Sequence, residues 1–238
     1  MAHVKSKDGS KKKARAVLRE PVMPQLNIAE KLFLLAIAED EGKLLPSVKE
    51  RVRYGLVGAL LAELALSGKV QLQDERLLLV DTAPCGEPVF DEIVAQIASE
   101  EKLRKLKRWI EKIGSKRTMR LVANRLEEQL VITVEKKRYL LVLPYEVYAP
   151  VDATAKYWVK QQLRGLVLAG GKSTTGDVAL LSLLKACRLL RLVFTRDERS
   201  LANKRVDELV QNEKYGEAVA QLLEEIEQSA IAAVVAAG

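Results

Sequence analysis

Two groups of basic side chains stand at the starts of two amphipathic stretches of this sequence. The first group is Lys49, Arg51 and Arg53, and the second is Lys116, Arg117 and Arg120. Positive charge near a helix N-terminus opposes the helix dipole, so another interaction must favour these residues there. Guanidinium and ammonium groups both bind phosphate oxygens, and arginine does so in a bidentate manner. The pattern predicts a basic face that binds anions.

Each basic group opens a unit made of a helix and a β-hairpin. Residues 51–66 carry apolar side chains on nearly all sides of the helix, which is typical of a buried helix. Gly68 predicts its end, and two short strands follow at 69–72 and 77–80. The sequence therefore predicts a core helix that leads directly into a hairpin.

The same unit recurs in residues 118–143, and each copy is followed by a further predicted helix, at 89–113 and 152–169. A repeated supersecondary unit indicates a duplicated architecture. With 48% hydrophobic but only 5% aromatic residues, the core must consist largely of aliphatic side chains, which suits helices. We predict a mainly α fold: a single helical-bundle domain, residues 25–238, with two short β-hairpins.

Three further local features complete this prediction. Asn27 followed by Glu30 forms a capping box for a first helix. Residues 177–194 are predicted to form one continuous late helix, and Trp109, among basic residues, is a candidate for an interface.

The net charge of +7 is concentrated at the N-terminus. Residues 1–24 are rich in lysine and poor in apolar residues, whereas acidic and basic residues nearly balance in the remaining chain. This composition predicts a disordered tail, which can also act as an electrostatic tether to lipid headgroups or nucleic acid.

Several enzyme classes have no candidate residues here. His3 is the single histidine, and Cys85 and Cys187 have no metal-ligand spacing, which also favours a reducing compartment. The Gly170–Thr174 stretch lacks the first glycine of a phosphate-binding loop. Glu63 is expected to be the buried partner of an arginine. We predict a protein that is not an enzyme and uses no cofactor or metal.

The second hairpin has an unusually apolar distal part. Its residues of interest are Leu140, Leu141, Val142, Tyr145 and Tyr148. Apolar and tyrosine side chains on a projecting hairpin favour membrane insertion or an oligomer contact through residues 139–150. The alternative is that they cover the core.

Four ordered segments resemble the Golgi phosphoprotein 3 family over roughly residues 26–212. They are LNIAEKLFLLAI, GLVGALLAELALSGKVQLQ, RYLLVLPYEVYAP and DERSLANKRVDEL. The resemblance implies a helical peripheral membrane protein that recognises phosphatidylinositol 4-phosphate and lies on the cytoplasmic side of the Golgi in eukaryotes. It also implies a headgroup pocket at Val57, Arg120 and Ala123 and at a position near Val48, of which only Arg120 keeps the family's residue type.

We therefore expect a non-enzymatic peripheral protein that binds phosphatidylinositol 4-phosphate or another anionic lipid. Its candidate protein partners are a second copy of the chain, through residues 139–150, and an unidentified client. The predicted headgroup-binding residues are Lys49, Arg51, Arg53, Arg117 and Arg120. The alternative is a winged-helix-like nucleic-acid-binding protein, since that fold also places a hairpin after a helix. The near-neutral body and the apolar helix weigh against it.

Overall fold

The computed structural model describes residues 24–38, 42–44, 48–139, 143–151, 153–213 and 217–236. The predicted tail lies outside these residues except for Pro24, and so do Leu140, Leu141 and Val142. Within them the helices are α1 (Ile28–Ala36), α2 (Lys49–Leu66), α3 (Pro88–Ala98), α4 (Leu106–Ile113), α5 (Lys116–Glu128), α6 (Thr154–Ala169), α7 (Thr175–Ala186), α8 (Arg199–Asn212) and α9 (Glu217–Ala236). The strands are β1 (Val70–Gln73), β2 (Arg76–Leu79), β3 (Ile132–Tyr139) and β4 (Leu143–Pro150). The mainly α fold is confirmed.

Helix α2 is the central element of the core. It contacts α1, α4, α7 and α9, so apolar side chains are buried on several of its sides. Gly58 permits close packing, because a Cβ there would lie only 2.7 Å from side-chain carbons of Ile226 and Leu183. The burial of α2 also corrects the winged-helix alternative, since this helix cannot enter a DNA groove.

Both predicted hairpins form antiparallel two-stranded sheets. In the first, Gln73 pairs with Arg76 across Asp74 and Glu75, whose φ angles of 49° and 58° are those of a tight type I′ turn. The second is longer and runs in register from the Ile132–Pro150 pair to the Tyr139–Leu143 pair.

The prediction of one helix over 89–113 was wrong. The chain leaves α3 after Ala98 and re-enters α4 at Leu106. Between them it runs beside β2, where the Leu77 N–H donates to the Arg104 carbonyl at 3.1 Å. Pairing with a distant strand has overridden the local helical pattern. The break also turns Trp109 into the core, where it is 1% exposed, which corrects its assignment to an interface.

The predicted helix over 177–194 was also too long. Helix α7 ends at Ala186, Arg188 adopts a φ of 54°, and a short 3₁₀ turn follows at Leu190–Leu192. No helix in the described part of the chain is long and apolar enough to cross a bilayer.

Candidate anion-binding face

The basic starts of α2 and α5 meet through a single side chain. The Arg53 guanidinium on α2 donates from Nη1 to the Gly114 carbonyl at 3.1 Å and from Nε to Glu50 at 2.9 Å. Gly114 immediately precedes Ser115, whose side chain caps α5 by accepting the Thr118 N–H. Arg53 therefore ties the start of α2 to the residue that precedes the N-cap of α5.

The lysines of this junction are open to solvent. Lys49 and Lys116 are exposed, and neither makes an ion pair within the described part of the chain. Arg117 is also exposed, at 76% of its side chain, although it pairs with Glu92 at 2.8 Å. The first turn of α5 contains no acidic residue, so its dipole and its cations have the same sign. We call Lys49, Arg53, Lys116 and Arg117 the basic junction.

Arg51 does not belong to this junction. Two residues along a helix correspond to about 200° of rotation, so Arg51 and Arg53 point to nearly opposite sides of α2. Arg51 lies on the side of α2 that faces Cys187, the residue after α7. Burial raises the pKa of the Cys187 thiol to about 12, and the nearby Arg51 charge acts to lower that pKa. The structure thus separates one predicted site residue from the others.

Arg120 is held by the middle of the second hairpin. Its guanidinium pairs with Glu146 on β4 and donates to Asn124 at 2.9 Å. Glu146 also accepts the Tyr148 hydroxyl at 2.7 Å, and the Tyr148 ring packs edge-on to Phe33 with centroids 5.0 Å apart. Burial raises the pKa of the Tyr148 hydroxyl above its usual range.

Tyr148 is therefore a core residue in this structure, with 7% of its surface exposed, and this corrects its assignment to a membrane interface. Tyr145 remains partly exposed, with the Lys43 ammonium 5.0 Å from its ring centroid. Sequence reasoning missed the exposed basic run Lys136, Lys137 and Arg138 on β3. The signal was available, because this run leads into the apolar tip of the hairpin.

The other positions that the resemblance implies for a headgroup pocket are apolar and enclosed in this chain. Val48, Val57 and Ala123 are each at most 1% exposed. Val57 lies beside Gly114, where a Cβ would be 3.4 Å from its Cγ2 atom. These positions therefore offer no polar group to a ligand.

Features considered for catalysis have structural roles here. Gly170, with a φ of 70°, ends α6, and Thr174 caps α7 in a reciprocal pair with Asp177. Glu63 accepts a backbone N–H from Ile28, so its predicted arginine partner was wrong. Among the described residues, no cluster of three or more His, Cys, Asp or Glu side chains is arranged to hold a metal ion.

The sequence that forms this helical bundle matches a known family. The Golgi phosphoprotein 3 (GPP34) family model matches residues 28–226, and the chain belongs to this family. Two relatives are each named vacuolar protein sorting-associated protein 74. The one from Eremothecium gossypii is 26% identical over 191 residues, which cover 71% of this chain and 56% of the relative. The one from Schizosaccharomyces pombe is 31% identical over 143 residues, or 50% of this chain and 41% of the relative. The chain spans about half the length of these relatives.

Proposed function

We propose that this chain is a non-enzymatic peripheral membrane protein that binds phosphatidylinositol 4-phosphate or another anionic lipid headgroup. In a eukaryotic host it would act on the cytoplasmic face of the Golgi membrane, in keeping with the name of its family. The observation that carries the proposal is the Arg53–Gly114 hydrogen bond, because it brings two basic helix starts into one junction.

The charges of the basic junction support a membrane contact of useful strength. Each Lys or Arg near an anionic surface contributes about 1 kcal/mol at physiological salt. Two to four such residues at full effect would favour anionic over neutral vesicles by about 30-fold to 1,000-fold. Arg53 and Arg117 already have carboxylate partners, so the lower part of this range is expected.

Recognition by charge density fits this chain better than recognition by a deep pocket. Val48, Val57 and Ala123 give no hydrogen bonds to a phosphate, whereas the junction lysines are free to move across a headgroup layer. A preference for one phosphoinositide would have to come from Arg120 and its neighbours.

The second hairpin is proposed as the other point of contact. The exposed Lys136, Lys137 and Arg138 stand next in sequence to the apolar residues 140–142, so cations suited to lipid headgroups adjoin apolar side chains suited to the membrane interface. The same hairpin is a candidate contact in a homo-oligomer, and a protein client would be carried by the membrane-bound form.

Liposome co-sedimentation at physiological salt tests the proposal. Three vesicles are compared: neutral, phosphatidylserine-containing, and phosphatidylinositol 4-phosphate-containing at matched charge. We expect salt-sensitive binding to both anionic vesicles and little to the neutral one. Stronger binding to the phosphoinositide would assign a specific headgroup site, whereas equal binding to all three would reject the proposal.

A further inference from the structure

The outer edge of β2 has unused hydrogen-bonding groups. Leu77 donates its N–H outward, to Arg104, so the alternation of an antiparallel ladder directs the N–H and C=O of Leu79 outward as well. Neither group of Leu79 has a hydrogen-bond partner within the described part of the chain. The segment that pairs with Leu77 turns away before it reaches Leu79. An edge of this kind is a template for another strand.

A groove of about 270 Å³ lies along this open edge. Its walls come from β2, the end of α3, the segment between α3 and α4, and α4, and they include Leu79, Ile97, Ala98 and Leu103. Leu103 is 48% exposed, so an apolar surface faces solvent beside the unpaired backbone.

Trp109, a further wall residue, supplies an independent observation. Its side chain is 1% exposed, and its indole N–H has no hydrogen-bond partner in the described part of the chain. Buried indole N–H groups usually find an acceptor. A ligand rich in carbonyl groups would supply one.

The charges at the groove favour an acidic ligand. Glu100 lines the groove, but Arg104 at 2.6 Å and Lys112 at 2.7 Å already pair with it. Lys102 lines the same groove, is exposed, and makes no ion pair among the described residues. A carboxylate on the ligand would therefore meet an unpaired ammonium group.

We propose that this groove, which we call the β2 groove, binds an extended peptide segment of a partner protein. The segment adds as a strand at Leu79 and places apolar side chains at alternate positions against Ile97 and Leu103. An acidic residue lies beside Lys102. Backbone pairing supplies affinity, and alternate side chains supply selectivity. This site is separate from the basic junction and does not depend on lipid binding.

Trp109 provides the readout. The chain has two tryptophans, and Trp158→Phe removes the exposed one, so the emission of Trp109 can be followed alone. The probe is a panel of octapeptides with Leu or Val at alternate positions and Glu or Ser between them. We expect a saturable change in Trp109 emission with the acidic peptides. Replacing Glu by Lys, or methylating alternate backbone amides, should weaken binding by about tenfold.

A matched pair of variants places binding at the groove. Ala98 and Ala95 are both exposed on α3, but only Ala98 lines the groove. Ala98→Glu should abolish peptide binding, and Ala95→Glu should leave it unchanged. The proposal is overturned if no peptide alters Trp109 emission, if methylated peptides bind equally well, or if both variants behave alike. It is also overturned if sedimentation reveals a dimer that only Ala98→Glu dissociates, because the occupant is then a second copy of this chain.

Discussion

The Glu63 carboxylate on α2 accepts a hydrogen bond at 2.7 Å from the N–H of Ile28, the first residue of α1. These residues are 35 positions apart, so a side chain of the central helix satisfies a backbone donor that α1 itself leaves unpaired. Burial raises the pKa of Glu63, and the bond from Ile28 partly offsets this. The contact fixes the start of α1 on α2.

Replacing Glu63 distinguishes the hydrogen bond from the charge. Glu63→Ala leaves the Ile28 donor without its acceptor and should lower the free energy of unfolding by about 1–3 kcal/mol. Glu63→Gln keeps a carbonyl acceptor and removes a half-buried charge, so its effect should be much smaller. Urea unfolding measures both. Equal losses would mean that the charge, rather than the Ile28 bond, is what stabilises the fold.

The Arg164–Glu198 pair predicts a pH-dependent stability. Two short hydrogen bonds, at 2.5 and 2.6 Å, hold the Glu198 pKa down from 4.5 to about 2. A carboxylate whose pKa is lowered by folding stabilises the fold at every pH above its pKa in the unfolded chain. This stabilisation is lost as the pH falls from 4.5 to about 2. Glu198→Gln should therefore lower the Tm at pH 7 and have little effect near pH 2. A constant difference across thermal melts in this range would contradict the assignment.

Two helical glycines should respond in opposite directions to alanine. Gly58→Ala places a methyl group 2.7 Å from Ile226 and Leu183 in the core and should destabilise the fold by about 1–3 kcal/mol. Gly165→Ala in α6 meets no atom within 4 Å and should stabilise by up to about 1 kcal/mol through helix propensity. Chemical denaturation of both variants measures the two changes in the free energy of unfolding. If Gly58→Ala leaves that free energy unchanged, α9 can shift away from α2.

The basic junction is tested by two double variants of equal charge. Lys49→Glu with Lys116→Glu should reduce binding to anionic vesicles by at least about tenfold, since two favourable charges become unfavourable. Lys172→Glu with Lys204→Glu changes the net charge equally at exposed positions outside the junction. The second pair should bind nearly as well as the unmodified chain. If both pairs lose binding equally, net charge and not the junction attracts the membrane.

Releasing Arg120 should strengthen lipid binding. Glu146→Gln removes the carboxylate that neutralises this arginine, and a free cation near the membrane contributes about 1 kcal/mol, or up to about fivefold in affinity. The control is Glu128→Gln, which changes the net charge by the same amount at an exposed position on α5, the helix that carries Arg120. Co-sedimentation of the two variants should separate them. A Glu146→Gln variant that binds no better than the control would place Arg120 outside the lipid contact.

Features that depend on neighbouring residues could be predicted from the sequence. The capping box of Asn27 and Glu30 forms as expected, because both of its hydrogen bonds lie within three residues. The buried α2 and both hairpins were also predicted, since apolar periodicity and turn residues are local signals. The family followed from the order of such segments along the chain.

Features that depend on residues far apart in sequence were decided only by the tertiary structure. Arg104 leaves the helical path because Leu77, 27 residues earlier, offers a strand edge to pair with. Tyr148 is buried because Phe33 and Glu146 surround it, and a tyrosine alone does not reveal whether its neighbours are water or protein. The sequence by itself determined the mainly helical class, the buried central helix, both hairpins and the clustering of cations along the chain. Packing decided which cations share a surface, because it is the position of α2 against α5 that brings Arg53 to Gly114 and turns Arg51 away.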